Sequence, residues 1–177
     1  MDIARFWQLV ESSRRGFNPS SADRNMARQG RELRALLLKL PPKEVLAFRD
    51  HVFELMNVAF RWELWGAAYL IAGGCSDDGF ADFRSCLISM GRRVFEDAMV
   101  DAESLLGSAE APGVEDVFFE EFSALPARVY EEQTGREIPP YDGHPPVTPA
   151  GDPWSEDGGD LERRFPRLWA RYGGKGA

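Results

Sequence analysis

Cysteine and histidine are scarce in this chain, with two of each in 177 residues. Cys75 and Cys86 cannot build a disulfide framework, and neither has a second Cys or a His at metal-ligand spacing. They read as reduced, buried thiols. His51 and His144 lie too far apart in sequence to suggest a shared role. Long hydrophobic runs are missing as well: the longest, residues 64–74, falls far below the roughly 20 residues a membrane helix needs. No basic, apolar leader opens the chain, because Asp2 and Arg5 interrupt its first residues, so the expected location is cytoplasmic. Alternating strand patterns between hairpin signals are lacking, which argues against a sheet. Internal repeats, a nucleophile triad, a phosphate loop and a nucleic-acid signature are not found either.

What is present is an ordinary globular composition, 44 % hydrophobic and 28 % charged. The expectation is one domain over 1–177: a core at 1–135, an extended acidic loop at 136–159 and a C-terminal docking helix at 160–172. The net charge of -8 is polarised along the chain. Residues 1–49 carry ten Lys/Arg against five Asp/Glu, and residues 96–160 carry two against seventeen. An acidic balance repels phosphate backbones, so general nucleic-acid binding is not expected.

Helical spacing accounts for nearly every apolar residue. Asp2 reads as the cap of a first helix bearing Ile3, Phe6, Trp7 and Val10, ended by Gly16. A Ser cap then opens a second helix, where Met26, Leu33, Leu37 and Leu40 form an apolar stripe beside Arg24, Arg28 and Arg31. That basic stripe is expected to meet the chain's own acidic region. Pro41-Pro42 starts a third helix, buried on most sides, and residues 62–72 make a central fourth. Phe80, Phe83, Leu87 and Val94 continue as one helix, or as two divided at Gly91. After a short turn capped by Asp101, Val114 to Val129 describe a helix kinked or restarted at Pro126. The stretch 136–159, rich in Pro, Gly and acids, cannot bury enough apolar area to form an element of its own. Leu161, Phe165, Leu168, Trp169 and Tyr172 form the last helix, interrupted at Pro166. The fold class is therefore all-α, an irregular bundle of about seven helices.

The run Trp62, Trp65, Ala67-Ala68-Tyr69, Ile71, Gly73-Gly74, Ser76-Asp77-Asp78-Gly79-Phe80, Phe83-Arg84 and Leu87-Ile88 resembles the signature of the bacterial domain-of-unknown-function family DUF4240. The resemblance extends to Phe6-Trp7, Phe95, Asp101 and Tyr130-Glu131 before Thr134-Gly135, and so covers most of the chain to about residue 135. It departs from the family pattern at Cys86, where a tryptophan is common, and at Pro126, within a helix that is usually uninterrupted. It implies a mainly helical fold and brings no activity, cofactor or catalytic residue with it.

Function therefore rests on the residues themselves. Asp77 and Asp78 offer oxygen ligands or proton-transfer groups at short separation, flanked by Trp62, Trp65, Tyr69 and Arg84 on neighbouring helices. The plainer reading is a helix start, with Ser76 as N-cap and both acids in a first turn favoured by the dipole. Arg61 or Arg84 would then pair with those acids. The preferred function is a non-catalytic binding or regulatory domain with an aromatic and acidic pocket formed by Trp62, Trp65, Tyr69, Ser76, Asp77, Asp78 and Arg84, taking a small molecule or a protein partner. One alternative is a metal-assisted hydrolase or transferase using Asp77 and Asp78. Another is a protein-interaction module using the polarised charge, through the arginine stripe or the acidic C-terminal region; separately, the 138–154 loop offers aromatic anchors in Pro139-Pro140-Tyr141 and Asp152-Pro153-Trp154. No catalytic residue, metal ligand or cofactor is assigned.

Overall fold

Glycine and proline set the helix boundaries, and distant side chains cap several of them. The computed structural model describes residues 1–21 and 24–173; the outermost part of the 1–177 span lies outside the described residues. Among the described residues there are ten α-helices and no strand. The first four are α1 (Ile3–Ser13), α2 (Asn25–Leu37), α3 (Pro42–Val58) and α4 (Trp62–Ala72). They are followed by α5 (Asp77–Ser89), α6 (Arg92–Val100), α7 (Leu105–Ala109), α8 (Glu120–Thr134), α9 (Gly158–Arg164) and α10 (Pro166–Tyr172). The protein is all-α, and the surplus over seven helices comes from short pieces that periodicity merges or passes over.

Asp2 caps α1 as expected, accepting from the Arg5 backbone N–H at 2.7 Å. The start of α2 is different: it begins at Asn25, and its cap is not a serine. The Glu115 carboxylate comes from the other half of the chain and accepts from the Arg24 and Met26 backbone N–H groups, each at 2.5 Å. A negative group at the positive end of the helix dipole replaces the local cap. Gly91, at φ +100°, divides α5 from α6. Residues 114–119 are not helical; the Phe119 N–H donates to the Asp82 carbonyl at 3.1 Å, which lays this stretch on α5 before α8 begins. Pro126 lies within α8 and does not restart it. Pro166 does begin a new helix, as first residue of α10, whose Arg167 and Leu168 N–H groups are capped by Glu103.

In the core, α3 and α5 pack on α8, and α2 packs on α1 and α8. Phe6, Phe48, Phe80, Phe122, Leu33 and Leu37 are fully buried there. Small residues on α4 admit α10: a methyl group at Gly66 would stand 2.5 Å from the Phe165 ring. The 136–157 segment has no helix. It straps across α3 and α4, held by an Arg49 bond to the Pro139 carbonyl and by a parallel bridge at Arg61 and Ala150. Bonds from Arg164 to the Asp152 and Pro153 carbonyls hold its far end.

Candidate functional site

At the start of α5 the backbone of Ser76 is extended, and its Oγ accepts from the Gly79 N–H at 3.2 Å. Asp77 and Asp78 follow in the first turn, and all three are exposed. This is the geometry of an N-cap with dipole-favoured acids. The aromatic neighbours are engaged with one another. Trp65 stacks between Trp62 and Phe80, with centroids 5.3 and 4.9 Å away and planes within 12°. Its Nε1 donates to the Cys75 carbonyl at 3.0 Å, pinning the turn between α4 and α5. Tyr69 packs on Trp154, 4.9 Å between centroids. Neither arginine pairs with the acids: Arg61 stands 3.7 Å from Glu63, and Arg84 faces the other way.

Arg84 is the member of the expected set with unmet chemistry. Its Nε donates to the Phe80 carbonyl at 3.2 Å and its Nη1 to the Met56 carbonyl at 2.8 Å. The guanidinium lies over the rings of Phe60 and Phe80, at 4.7 and 4.9 Å. Among the described residues no carboxylate reaches it, and Nη2 has no protein acceptor. Burial alone pushes its pKa below the ordinary guanidinium value, which still leaves it charged.

Beside Arg84 lies a groove of about 460 Å³ between α3, α5 and the returning strap, with Phe53, Asn57, Phe60 and Tyr141 among its walls. Of the seven expected residues, Arg84 lines this groove and the other six do not. Behind Phe53 and Tyr141 stands Arg49, a buried residue on α3 that does not itself line the groove. Arg49 pairs with Asp50 at 2.7 Å, donates to the Pro139 carbonyl at 2.6 Å and lies over Phe53 and Tyr141. Tyr141 meets Phe53 edge to face at 5.2 Å, and Gly143 lies against the Tyr141 ring with no room for a side chain. Burial, reinforced by Glu54 and Asp50, raises the Tyr141 pKa and keeps its hydroxyl a hydrogen-bond donor. Sequence reasoning flagged the Pro-Pro-Tyr stretch as an anchor but gave no sign that it would face Arg84.

Among the described residues no three His, Cys, Asp or Glu side chains are grouped to hold a metal ion. Burial raises the thiol pKa of Cys75 to about 11 and of Cys86 to about 12, so neither is a nucleophile near neutral pH. The Asp82 carboxyl is raised by burial and by the charges of Glu120 and Asp78, which makes this end of α5 a cluster of like charges. The basic stripe is only partly neutralised from within: Glu115 caps the backbone at Arg24, and Arg34, one turn beyond Arg31, pairs with Glu132. Arg28 and Arg31 form no ion pair with a described residue. No helix among the described residues is long and apolar enough to cross a membrane.

No curated protein and no solved structure matches the chain. Residues 1–132, three quarters of its length and including the whole of α1 to α7, match the family described as "Protein of unknown function (DUF4240)", and the chain belongs to that family.

Proposed function

We propose that the protein is a non-catalytic binding domain whose ligand enters the groove beside Arg84. The observation that carries this reading is a partly buried guanidinium with no carboxylate partner, set at the edge of a groove of about 460 Å³ that is largely apolar. The Nη2 edge meets solvent while the rest of the side chain is enclosed; partial burial of a charge without a counterion costs stability, and a ligand that supplies the counterion recovers that cost. Ligand sites combine apolar walls with a few placed polar groups in volumes of roughly 300 to 1,000 Å³, which this groove matches. In this reading Trp62, Trp65 and Tyr69 are the support behind the wall, and Ser76, Asp77 and Asp78 are the cap that starts α5. The hydrolase alternative gains no support from the acids, which are exposed and, among the described residues, belong to no group of three His, Cys, Asp or Glu placed to hold a metal ion.

A fragment screen on isotope-labelled protein tests the reading. Hits should move the amide signals of Asn57, Phe60, Arg84 and Gly143 together, and these shifts should vanish in Arg84→Met for anionic hits. Hits that gather on another surface and leave these four signals unmoved would reject it.

A further inference from the structure

Among the described residues the groove's lining contains one charged side chain, Arg84, and no Asp, Glu or Lys. We infer that it takes a planar aromatic monocarboxylate. This inference rests on the groove being the binding site and adds what the site recognises.

Three features converge on that ligand class. The first is charge. One guanidinium balances one negative charge, and among the described residues no second cation lines the walls. A phosphate monoester would bring a second charge into an apolar lining with no partner to offset its lost hydration. A neutral or cationic ligand would leave Arg84 as unpaired as it is now.

The second feature is the guanidinium's geometry. Two of its nitrogens are fixed by the Phe80 and Met56 carbonyls, and its plane is held by the rings of Phe60 and Phe80. Among the described residues Nη1 makes one bond and Nη2 none, which leaves three N–H donors in the guanidinium plane, two of them on Nη2. Donors fixed in one plane suit the planar pair of oxygens of a carboxylate.

The third is the wall. Phe53, Phe60, Tyr141, Pro145 and Pro146 present flat ring faces and edges, which suit a planar ring better than a flexible chain. The side-chain amide of Asn57 also lines the groove and makes no hydrogen bond with a described residue, so it can read a second polar atom on the ligand ring.

Calorimetry on the full chain tests this with indole-3-acetate and benzoate as probes. Their controls are indole-3-acetamide, tryptamine, octanoate and phenyl phosphate. The expected result is saturable one-to-one binding of indole-3-acetate, at least tenfold weaker for the amide and absent for tryptamine. Loss of a charged hydrogen bond corresponds to roughly tenfold to hundredfold, and that loss is expected in both Arg84→Met and Arg84→Lys, since lysine keeps the charge without the fork. Because Arg84 also holds two backbone carbonyls, Asn57→Leu is the second variant, expected to weaken indole-3-acetate while leaving the fold intact. Equal or tighter binding of tryptamine, octanoate or phenyl phosphate, with shifts at Phe60 and Arg84, overturns the ligand class and leaves the groove as the site. Failure of every probe and every fragment to move those signals overturns both.

Discussion

Ser76, Asp77 and Asp78 are adjacent, yet their surroundings assign them different energetic roles. The Ser76 hydroxyl satisfies an otherwise orphaned N–H, so Ser76→Ala should cost about 1 kcal/mol. Asp77→Asn should cost about 0.3 to 1 kcal/mol through the helix dipole alone. Asp78 stands one turn before Asp82, whose carboxyl is raised by burial, by Glu120 and by Asp78 itself. Relief of that repulsion opposes the dipole loss, so Asp78→Asn should be neutral or slightly stabilising. Urea unfolding of the three single variants at pH 7 separates them, and an equal loss for the two aspartates would show that repulsion with Asp82 is negligible. The capping role was legible from the sequence because a cap is a matter of neighbours within four residues. The state of Arg84 was not: its residue type and helix were readable, but its lack of a carboxylate depends on where Phe60 and the Tyr141 segment arrive. No local pattern encodes the absence of a partner.

At the scale of elements, Gly91 and Gly107 make a matched pair. Gly91 has φ +100° and lies against the Glu11 carboxylate, which also accepts from the Arg92 N–H at 3.2 Å to start α6. Gly91→Ala should cost about 1 to 3 kcal/mol, from backbone strain and displacement of that cap. Gly107 sits inside α7 with ordinary φ and open space around its Cβ direction. Gly107→Ala should therefore stabilise by about 0.4 to 1 kcal/mol. Thermal melts read the contrast as shifts of opposite sign, about 2 to 4 °C per kcal/mol for a chain of this size; a Gly91→Ala protein that melts like wild type would remove the strain argument. The same elements show where periodicity carries and where it stops. The stripes of α1, α3 and α5 and the break at Gly91 follow from short-range spacing. The start of α2 does not, because Glu115 supplies its cap from across the molecule. Nor does the start of α8: Val114, Val117 and Phe118 have helical spacing, but Phe119 bonds to Asp82 on α5 and that stretch is not helical. Tertiary contacts override propensity at both points.

For the whole molecule, the groups displaced furthest from their ordinary pKa all point to an alkaline limit on stability. Burial raises Cys86 from 9.0 to about 12 and Cys75 from 9.0 to about 11. Tyr172 on α10 rises from 10.0 to about 12, by burial first and then by its hydrogen bond to Glu110 at the end of α7. For each group the folded protein holds the proton more tightly than the unfolded chain does. The stabilisation tied to these protons is fully present below pH 9 and is lost as pH rises through 11 to 12. Cys86, fully buried, contributes a slope of at most about 1.4 kcal/mol per pH unit within its window; Tyr172 and Cys75 are less enclosed, so their shares are smaller. Urea unfolding of wild type at pH 8, 9.5 and 11 should therefore show stability steady at first and then falling. Cys86→Ala should lose stability at pH 8, through a packing defect that does not depend on pH, and then fall less steeply than wild type. The gap between the two should narrow by pH 11. Parallel curves across the whole range would mean that water reaches the Cys86 thiol, and hence that the 114–119 stretch, whose Asp116 carbonyl lies 3.8 Å from that sulfur, does not seal the face of α5.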